Sequence, residues 1–532
     1  MNPPKLTDAL ADVGPGASSA VDTRFFGHPR GLATLFFTEM WERFSYYGMR
    51  AFLLFYMVTP VASGGLGFTD AQGASAYGTY TGSAWGASII GGLVADRLIG
   101  THRSLVIGAL VIALGHIVLA VSGIGALAGS ALGMSVFIAG LVLIVLGTGH
   151  FKPNVPVMID QLYRPGDPRR DGAFTIFYMG VNVGAMLGPL ACSLLGEKIG
   201  WHYGFGAAAV GMLLGLSVYL WARPRFLAGV GEPPAGRANW TLPLIVISVG
   251  LAAAVAALFH FRVLAAIGAA SDAFVALSPT LIPLLFGTAV LGLAAWFVAS
   301  QPAADRGPVA CILIFVFFNA IFWFAYEQAG SSLNHFADEM TDRRIFGWEM
   351  PAGWFQSASA LMVVLMAPVF AGLWSALGRA NRNPSQPIKL TLGLYALAVG
   401  YVFMVAGSYG TTPTARAAMF WLLATYFFHT IGELCMSPTG LAFLTRVAPL
   451  RSVSLLMGIW FLANAVANKV GGQFAGKIEA IEQGEITLPW YAWFRLGGQA
   501  DFFLFFVLLA VVAGTLVLAL APLLKRLVAH RL

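Results

Sequence analysis

The chain has 532 residues, of which 58% are hydrophobic and only 10% charged, against about 25% charged in an ordinary soluble domain. That balance excludes a soluble globular protein and points to a polytopic membrane protein. The net charge of +7 is no nucleic-acid footprint, because the basic residues fall in short connections where they act as topology signals. The three cysteines (Cys192, Cys311, Cys435) sit singly in apolar runs, with neither a disulfide framework nor a metal spacing.

Residues 1–24 are polar, with Pro and Gly, and read as a flexible cytoplasmic tail without the apolar core of a cleaved leader. Fourteen apolar runs of spanning length follow, at about 31–59, 74–98, 104–124, 133–161, 172–195, 203–222, 241–261, 281–300, 308–333, 352–378, 389–408, 416–444, 451–475 and 501–527. An even count places both ends on one side. With the N-terminus inside, the inner segments hold twenty Lys and Arg and the outer ones seven, which predicts cytoplasmic termini. Arg43, Arg50, Lys152 and Lys469 remain within spans, where a charge costs roughly 2.5–3.5 kcal/mol and needs a reason.

The first span carries Thr38-Glu39-Met40-Trp41-Glu42-Arg43-Phe44-Ser45-Tyr46-Tyr47-Gly48-Met49-Arg50. At about 100° per residue, Glu39, Glu42, Arg43, Tyr46, Tyr47 and Arg50 share one broad helical face, and Glu39 and Arg43 can pair at i,i+4. A water-filled cavity that binds ions or solute would account for these charges; a structural ion-pair cluster is the alternative. The second span ends in Gly91-Gly92-Leu93-Val94-Ala95-Asp96-Arg97. This resembles the loop signature of the major facilitator superfamily and makes Asp96 and Arg97 structural gate residues rather than ligands. The fourth span carries Lys152-Pro153-Asn154, with Lys152 roughly 15 Å deep, level with Glu39 and Arg43. Pro153 should kink that helix. Otherwise Lys152 snorkels to the surface. Asn182, in the fifth span, can bond a solute or a neighbouring helix equally well.

The runs 241–261 and 281–300 offer almost no polar residue to a cavity and read as an inserted two-helix hairpin within a 226–305 linker. It would separate a six-helix bundle at 25–225 from a second at 306–532. In the seventh core span Trp323, Glu327 and Ser331 fall at i, i+4, i+8 on one face, and in the tenth Glu433 and Ser437 at i, i+4. Glu327 and Glu433 are isolated carboxylates in apolar spans. Each can carry a proton, meet an ammonium group, or be a structural acid bonded to a carbonyl. Trp460 and Phe461 can wall a pocket or simply pack.

Taken together, these residues resemble the proton-dependent oligopeptide transporter family of the major facilitator superfamily, bacterial type. The motifs occur in family order: ExxERFxYY over Glu39–Tyr47, the Gly91–Arg97 loop, GxGxxKPN ending at Asn154, FYxxxN ending at Asn182, YEQ at Tyr326–Gln328 and GE-x-x-x-SP at Gly432–Pro438. The resemblance implies an all-α major facilitator fold of fourteen transmembrane helices, two six-helix bundles plus the accessory pair. It implies that Arg43 and Lys152 hold a peptide carboxylate, with Glu39, Glu42 and Glu327 as protonation sites coupled to them. Asn182, Tyr46 and Tyr47 would touch the peptide, Glu433 would face its amino group with Ser437 nearby, and Trp323, Trp460 and Phe461 would line side-chain pockets. Two positions depart from the family pattern where substrate is read: Ser359 stands for the usual Asn, and Trp85 for a frequent Tyr.

The resulting expectation is a symporter of the bacterial inner membrane that imports di- and tripeptides with protons by alternating access, needing no cofactor, metal, nucleic acid or obligate protein partner. The alternative is proton-coupled transport of another small solute, such as nitrate or a drug-like or amino-acid-derived anion, on the same fold. An enzyme would need a clustered metal or nucleophile site, which the histidine spacing does not supply.

Overall fold

The computed structural model describes residues 22–529 and 531, apart from 165, 166, 168, 234–238, 277, 279, 280, 450 and 451. Most of the tail predicted over 1–24 therefore lies outside the described residues. What is described is almost entirely helical. The chain divides into two compact units, Met1–Phe52 with Gly86–Ala253, and Leu53–Trp85 with Ala254–Leu532.

The leading helices are α1 (Arg30–Val58), α2 (Asp70–Val94), α3 (Gly100–Val121), α4 (Ala131–Phe151), the short α5 (Asn154–Asp160), α6 (Arg169–Lys198) and α7 (Trp201–Phe226). A π-helical turn, Ala95–Ile99, separates α2 from α3 and carries Asp96 and Arg97, both exposed. Pro153 interrupts the fourth span between α4 and α5, as expected of a residue that lacks an N–H donor. A buried cluster of Leu32, Leu35, Leu105, Ile112, Phe151, Met158 and Tyr219 forms the apolar centre of the first unit.

Alpha-helix α6 meets α1 along a glycine ridge. A Cβ added at Gly180 would sit 2.8 Å from the Phe36 ring, one at Gly184 would sit 2.1 Å from the Met40 carbonyl oxygen, and one at Gly188 would sit 2.4 Å from that of Phe44. Small residues spaced by four let two helix backbones approach this closely. Gly184→Ala should therefore lower the thermal midpoint in detergent and reduce membrane yield, since overpacking of a tight contact costs about 1–3 kcal/mol. Gly206→Ala is the matched control, because nothing lies within 4 Å of its added Cβ. Equal melting of the two variants would remove the ridge from the account.

At the end of α1 that begins with Arg30, the chain is tied by charge. The Arg30 guanidinium, 2.8 Å from Asp22, holds that carboxyl down to about 2, with Arg24 adding to the effect. Because this lies below the ordinary 3.8, the tie is intact above about pH 4 and is lost as pH falls through about 2. His28 Nδ1 lies 2.8 Å from the Tyr163 hydroxyl, so the same segment is anchored a second time.

Three helices, not two, occupy the region read as an inserted hairpin: α8 (Thr241–His260), α9 (Val263–Ala276) and α10 (Leu281–Ala299). The predicted pair corresponds to α8 and α10. The connection between them is itself helical, because Val263–Ala276 is Ala-rich with a single Gly. Within the first unit, Leu244, Ile245 and Ala252 of α8 pack on Ile99, Ile107, Val111 and Leu143.

The second unit is built on α11 (Ala303–Tyr326), α12 (Ser332–Glu339), α13 (Trp354–Arg379), α14 (Gln386–Ser408), α15 (Met419–Val447), α16 (Val453–Ala475), α17 (Ile478–Glu482) and α18 (Gln499–Val528). Its centre is aromatic: Phe474 stacks on Phe502 at 5.2 Å, and Tyr401 on Phe506 at 4.8 Å. Two-residue strands, Thr341–Asp342 with Ala417–Ala418 in parallel and Arg344–Ile345 with Trp348–Glu349 antiparallel, tie the connections.

Among the described residues, ten helical stretches are long and apolar enough to cross a membrane. Fourteen separate runs were expected. Asp70–Val121 counts as one continuous stretch, Leu284–Ala299 is shorter, and neither the charge-bearing α1 nor α16 is among the ten.

Candidate functional site

In the first unit the charged face of α1 is buried. Glu39 is 4% exposed, Glu42 0% and Arg43 3%. Arg43 Nε lies 3.1 Å from Glu39 Oε1 and also pairs with Glu42 Oε2. One guanidinium thus serves two carboxylates. Glu39 Oε2, Glu42 Oε1 and Arg43 Nη2 have no hydrogen-bond partner among the described residues. Each such buried polar atom costs roughly 1–3 kcal/mol, so this cluster is a poor device for stability alone. Its spare acceptors can take a proton, and its spare donor can take an anion.

The neighbouring side chains frame that cluster. The Arg43 guanidinium lies 5.4 Å from the Tyr46 ring centroid, Tyr46 meets Tyr47 edge-on at 5.2 Å, and Arg50 lies 5.8 Å from the Tyr47 ring. Lys152, half-buried, sits where the fourth span is interrupted, and its charge acts on both Glu39 and Glu42. Asn182 is 7% exposed and donates from Nδ2 to the Tyr178 carbonyl at 2.9 Å, one turn back on its own helix.

The second unit carries one carboxylate set among hydroxyls. Tyr326 Oη of α11 donates to Glu433 Oε2 of α15 and lies 3.0 Å from Ser359 Oγ of α13. Ser359 Oγ lies 3.5 Å from Thr430 Oγ1. Trp323 Nε1 donates to Asn319 Oδ1 at 3.2 Å, and Asn319 Nδ2 donates to Asn464 Oδ1 at 3.0 Å. Trp85 stacks on Phe461 at 6.2 Å. Trp460, 6% exposed, stacks on Phe315 at 6.2 Å and so packs within the unit. The side chain of Ser437 lies outside the described residues.

One expected face does not form. The seventh core span is not a continuous helix through Ser331: α11 stops at Tyr326, Glu327–Gly330 is a 3-10 turn, and Ser331 has φ −127°. Trp323, Glu327 and Ser331 therefore do not align as a single stripe. The cause is Gln328, fully buried, which donates to the Phe324 carbonyl at 3.3 Å and the Gly471 carbonyl at 3.1 Å while accepting from Ser331 at 3.2 Å and Ser332 at 2.6 Å. A side chain that can satisfy backbone and hydroxyl groups at once replaces the lost helical bonds. Gln328, Tyr326 and Thr430 were not singled out as site residues from sequence. The first two lie in a quoted motif, and Thr430 lies three residues before Glu433, but none of the three carries a formal charge to mark it.

Lys469, the remaining intramembrane cation, bonds Thr79 Oγ1 of α2 within the second unit.

Buried charges and broken helices in a chain of apolar spans define a membrane transporter. Comparison with known proteins specifies which kind. Residues 102–493 match the family model described as POT family. The peptide transporter YePEPT of Yersinia enterocolitica subsp. palearctica serotype O:3 (strain YE-P4) is 37% identical over 477 residues, covering 86% of this chain and 89% of that protein. A di-/tripeptide transporter of Lactococcus lactis subsp. cremoris is 32% identical, with 84% and 89% covered. A crystal structure of a peptide transporter POT in complex with sulfate superposes with a TM-score of 0.76 at 35% identity, covering 96% of this chain and 98% of that one. A POT family transporter in complex with 5-aminolevulinic acid superposes with a TM-score of 0.77 at 30% identity, covering 95% and 98%.

The chain belongs to the POT family, a family of multi-pass membrane transporters.

Proposed function

We propose that this protein is a proton-coupled symporter that imports di- and tripeptides by alternating access. The observation that carries the reading is the buried trio on α1. Glu39 and Glu42 share Arg43, and spare acceptor and donor atoms remain on both sides of the pair. Proton uptake by either glutamate frees the guanidinium for a peptide carboxylate, with Lys152 as second cation. Loss of the peptide restores the ion pair. A zwitterion calls for cations, here Arg43 and Lys152, and for an anion, here Glu433. Family membership and the relatives' names support peptides over the alternative of a simple anion such as nitrate, for which Glu433 would be a repulsive charge.

In this reading Tyr46, Tyr47 and Asn182 flank the carboxylate end. Trp323, Trp85, Trp460 and Phe461 contribute aromatic surface for side chains. Glu327, at the end of α11, is a further protonation site. Asp96 and Arg97, on the exposed π-helical turn, act in gating. Residues 25–225 and 306–532 work as two six-helix bundles, with 226–305 accessory to both. The protein resides in the bacterial inner membrane with both termini cytoplasmic, as the distribution of Lys and Arg favours.

The test is reconstitution in liposomes with an inward proton gradient. Labelled dialanine should accumulate, collapse of the gradient should stop it, and unlabelled di- and tripeptides should compete while free nitrate should not. Absence of gradient-dependent dialanine uptake by folded protein would sink the peptide reading.

A further inference from the structure

We propose that the Tyr326 hydroxyl determines specificity at the ammonium-binding end of the second unit, completing with Ser359 and Glu433 a cluster of acceptors. The inference rests on the peptide reading above.

Three rings fix Tyr326. Phe322 stacks on it at 5.6 Å and 21°, Trp323 meets it edge-on at 5.1 Å, and His429 lies tilted at 6.1 Å. With the ring held, the position of the hydroxyl is set before any ligand arrives. A phenol has one proton to donate, and here it goes to Glu433 Oε2. In the 3.0 Å contact with Ser359, Tyr326 must then accept. The resulting chain runs from Ser359 to Tyr326 to Glu433 with every donor directed towards the carboxylate, and Thr430 stands behind Ser359 at 3.5 Å.

The outcome is a carboxylate and two hydroxyl oxygens contributed by three different helices. A primary ammonium carries three N–H donors and no acceptor. Three acceptor groups in one cluster match it; an acetylated amine offers only one donor. An asparagine at 359 would bring a carbonyl oxygen one bond further from the backbone than the serine hydroxyl. The shorter serine needs a neighbour to complete the cluster, and Tyr326 is the neighbour bonded to both Ser359 and Glu433.

The experiment is dialanine uptake in liposomes, together with competition by N-acetyl-dialanine, for the wild type, Tyr326→Phe, Ser359→Ala and Tyr326→Phe combined with Ser359→Asn. Tyr326→Phe should raise the half-saturating dialanine concentration about tenfold, the scale of a lost hydrogen bond to a charged group. Its maximal rate should stay within about twofold of wild type, as for a group that acts in binding. Competition by the acetylated analogue should not change, so discrimination falls by the same factor. Ser359→Ala should move the same parameter in the same direction, which keeps the idea testable if Tyr326→Phe folds poorly. The double variant should recover dialanine affinity, because the asparagine carbonyl returns the missing acceptor. An unchanged half-saturating concentration in both single variants, or equal losses for dialanine and its acetylated analogue, overturns the inference while leaving the peptide reading intact. Failure of the wild type to accumulate dialanine overturns both.

Discussion

Lys152→Ala is expected to abolish uphill accumulation of dialanine in liposomes under an inward proton gradient while leaving the protein folded. Lys152 stands at the interruption of the fourth span and acts on both Glu39 and Glu42. Without it a single guanidinium, that of Arg43, faces Glu39 and Glu42, and the cation proposed to receive the peptide carboxylate beside Arg43 is gone. A drop of at least about 100-fold in gradient-driven uptake is expected, about 2.7 kcal/mol at 1.36 kcal/mol per factor of ten. Because Lys152 is half-buried, its removal should alter thermal stability little. Uphill transport at the wild-type level in this variant would take Lys152 out of the coupling.

Arg43→Ala should do more damage, and of a different kind. It leaves Glu39 and Glu42, 4% and 0% exposed, with no guanidinium between them. Removing one partner of a buried ion pair typically costs about 3–5 kcal/mol, so the variant should show a clearly lowered melting temperature in detergent as well as no uptake. The triple variant Arg43→Ala, Glu39→Gln, Glu42→Gln separates the two effects. Neutralising the stranded carboxylates should recover most of the stability and none of the transport. A triple variant that still concentrates dialanine would refute the proposed exchange; one that stays as unstable as the single variant would show that packing, and not charge, governs this site.

Much of this arrangement was legible in the sequence, for a physical reason. A charge inside an apolar run is conspicuous, and helical periodicity then dictates which charges share a face. That logic reached the Glu39–Glu42–Arg43 cluster and the interruption at Pro153. It failed where a polar side chain serves its own backbone. Gln328 ends the helix after Tyr326 by bonding carbonyls on two segments, and nothing in the Trp323–Ser331 pattern distinguishes that from a continuing helix. Val263–Ala276 read as a connection because it is too short to span, although shortness does not prevent a helix. The spacing of Gly180, Gly184 and Gly188 does not say which helix fills it, because that depends on long-range packing. The oxygens around Glu433 come from three helices far apart in the chain, so their meeting is a property of the fold alone.

The unsatisfied atoms around Arg43 carry a consequence for how such a protein can be altered. Replacing a buried ion cluster with well-packed apolar residues is often neutral or stabilising by about 1–4 kcal/mol. A laboratory selection for heat resistance alone, applied to this chain, would therefore tend to erase Glu39, Glu42 and Arg43 first. Under the exchange proposed above, it would yield a hardier membrane protein that moves nothing. Any programme that hardens the protein must hold those three positions constant and draw its gains from elsewhere.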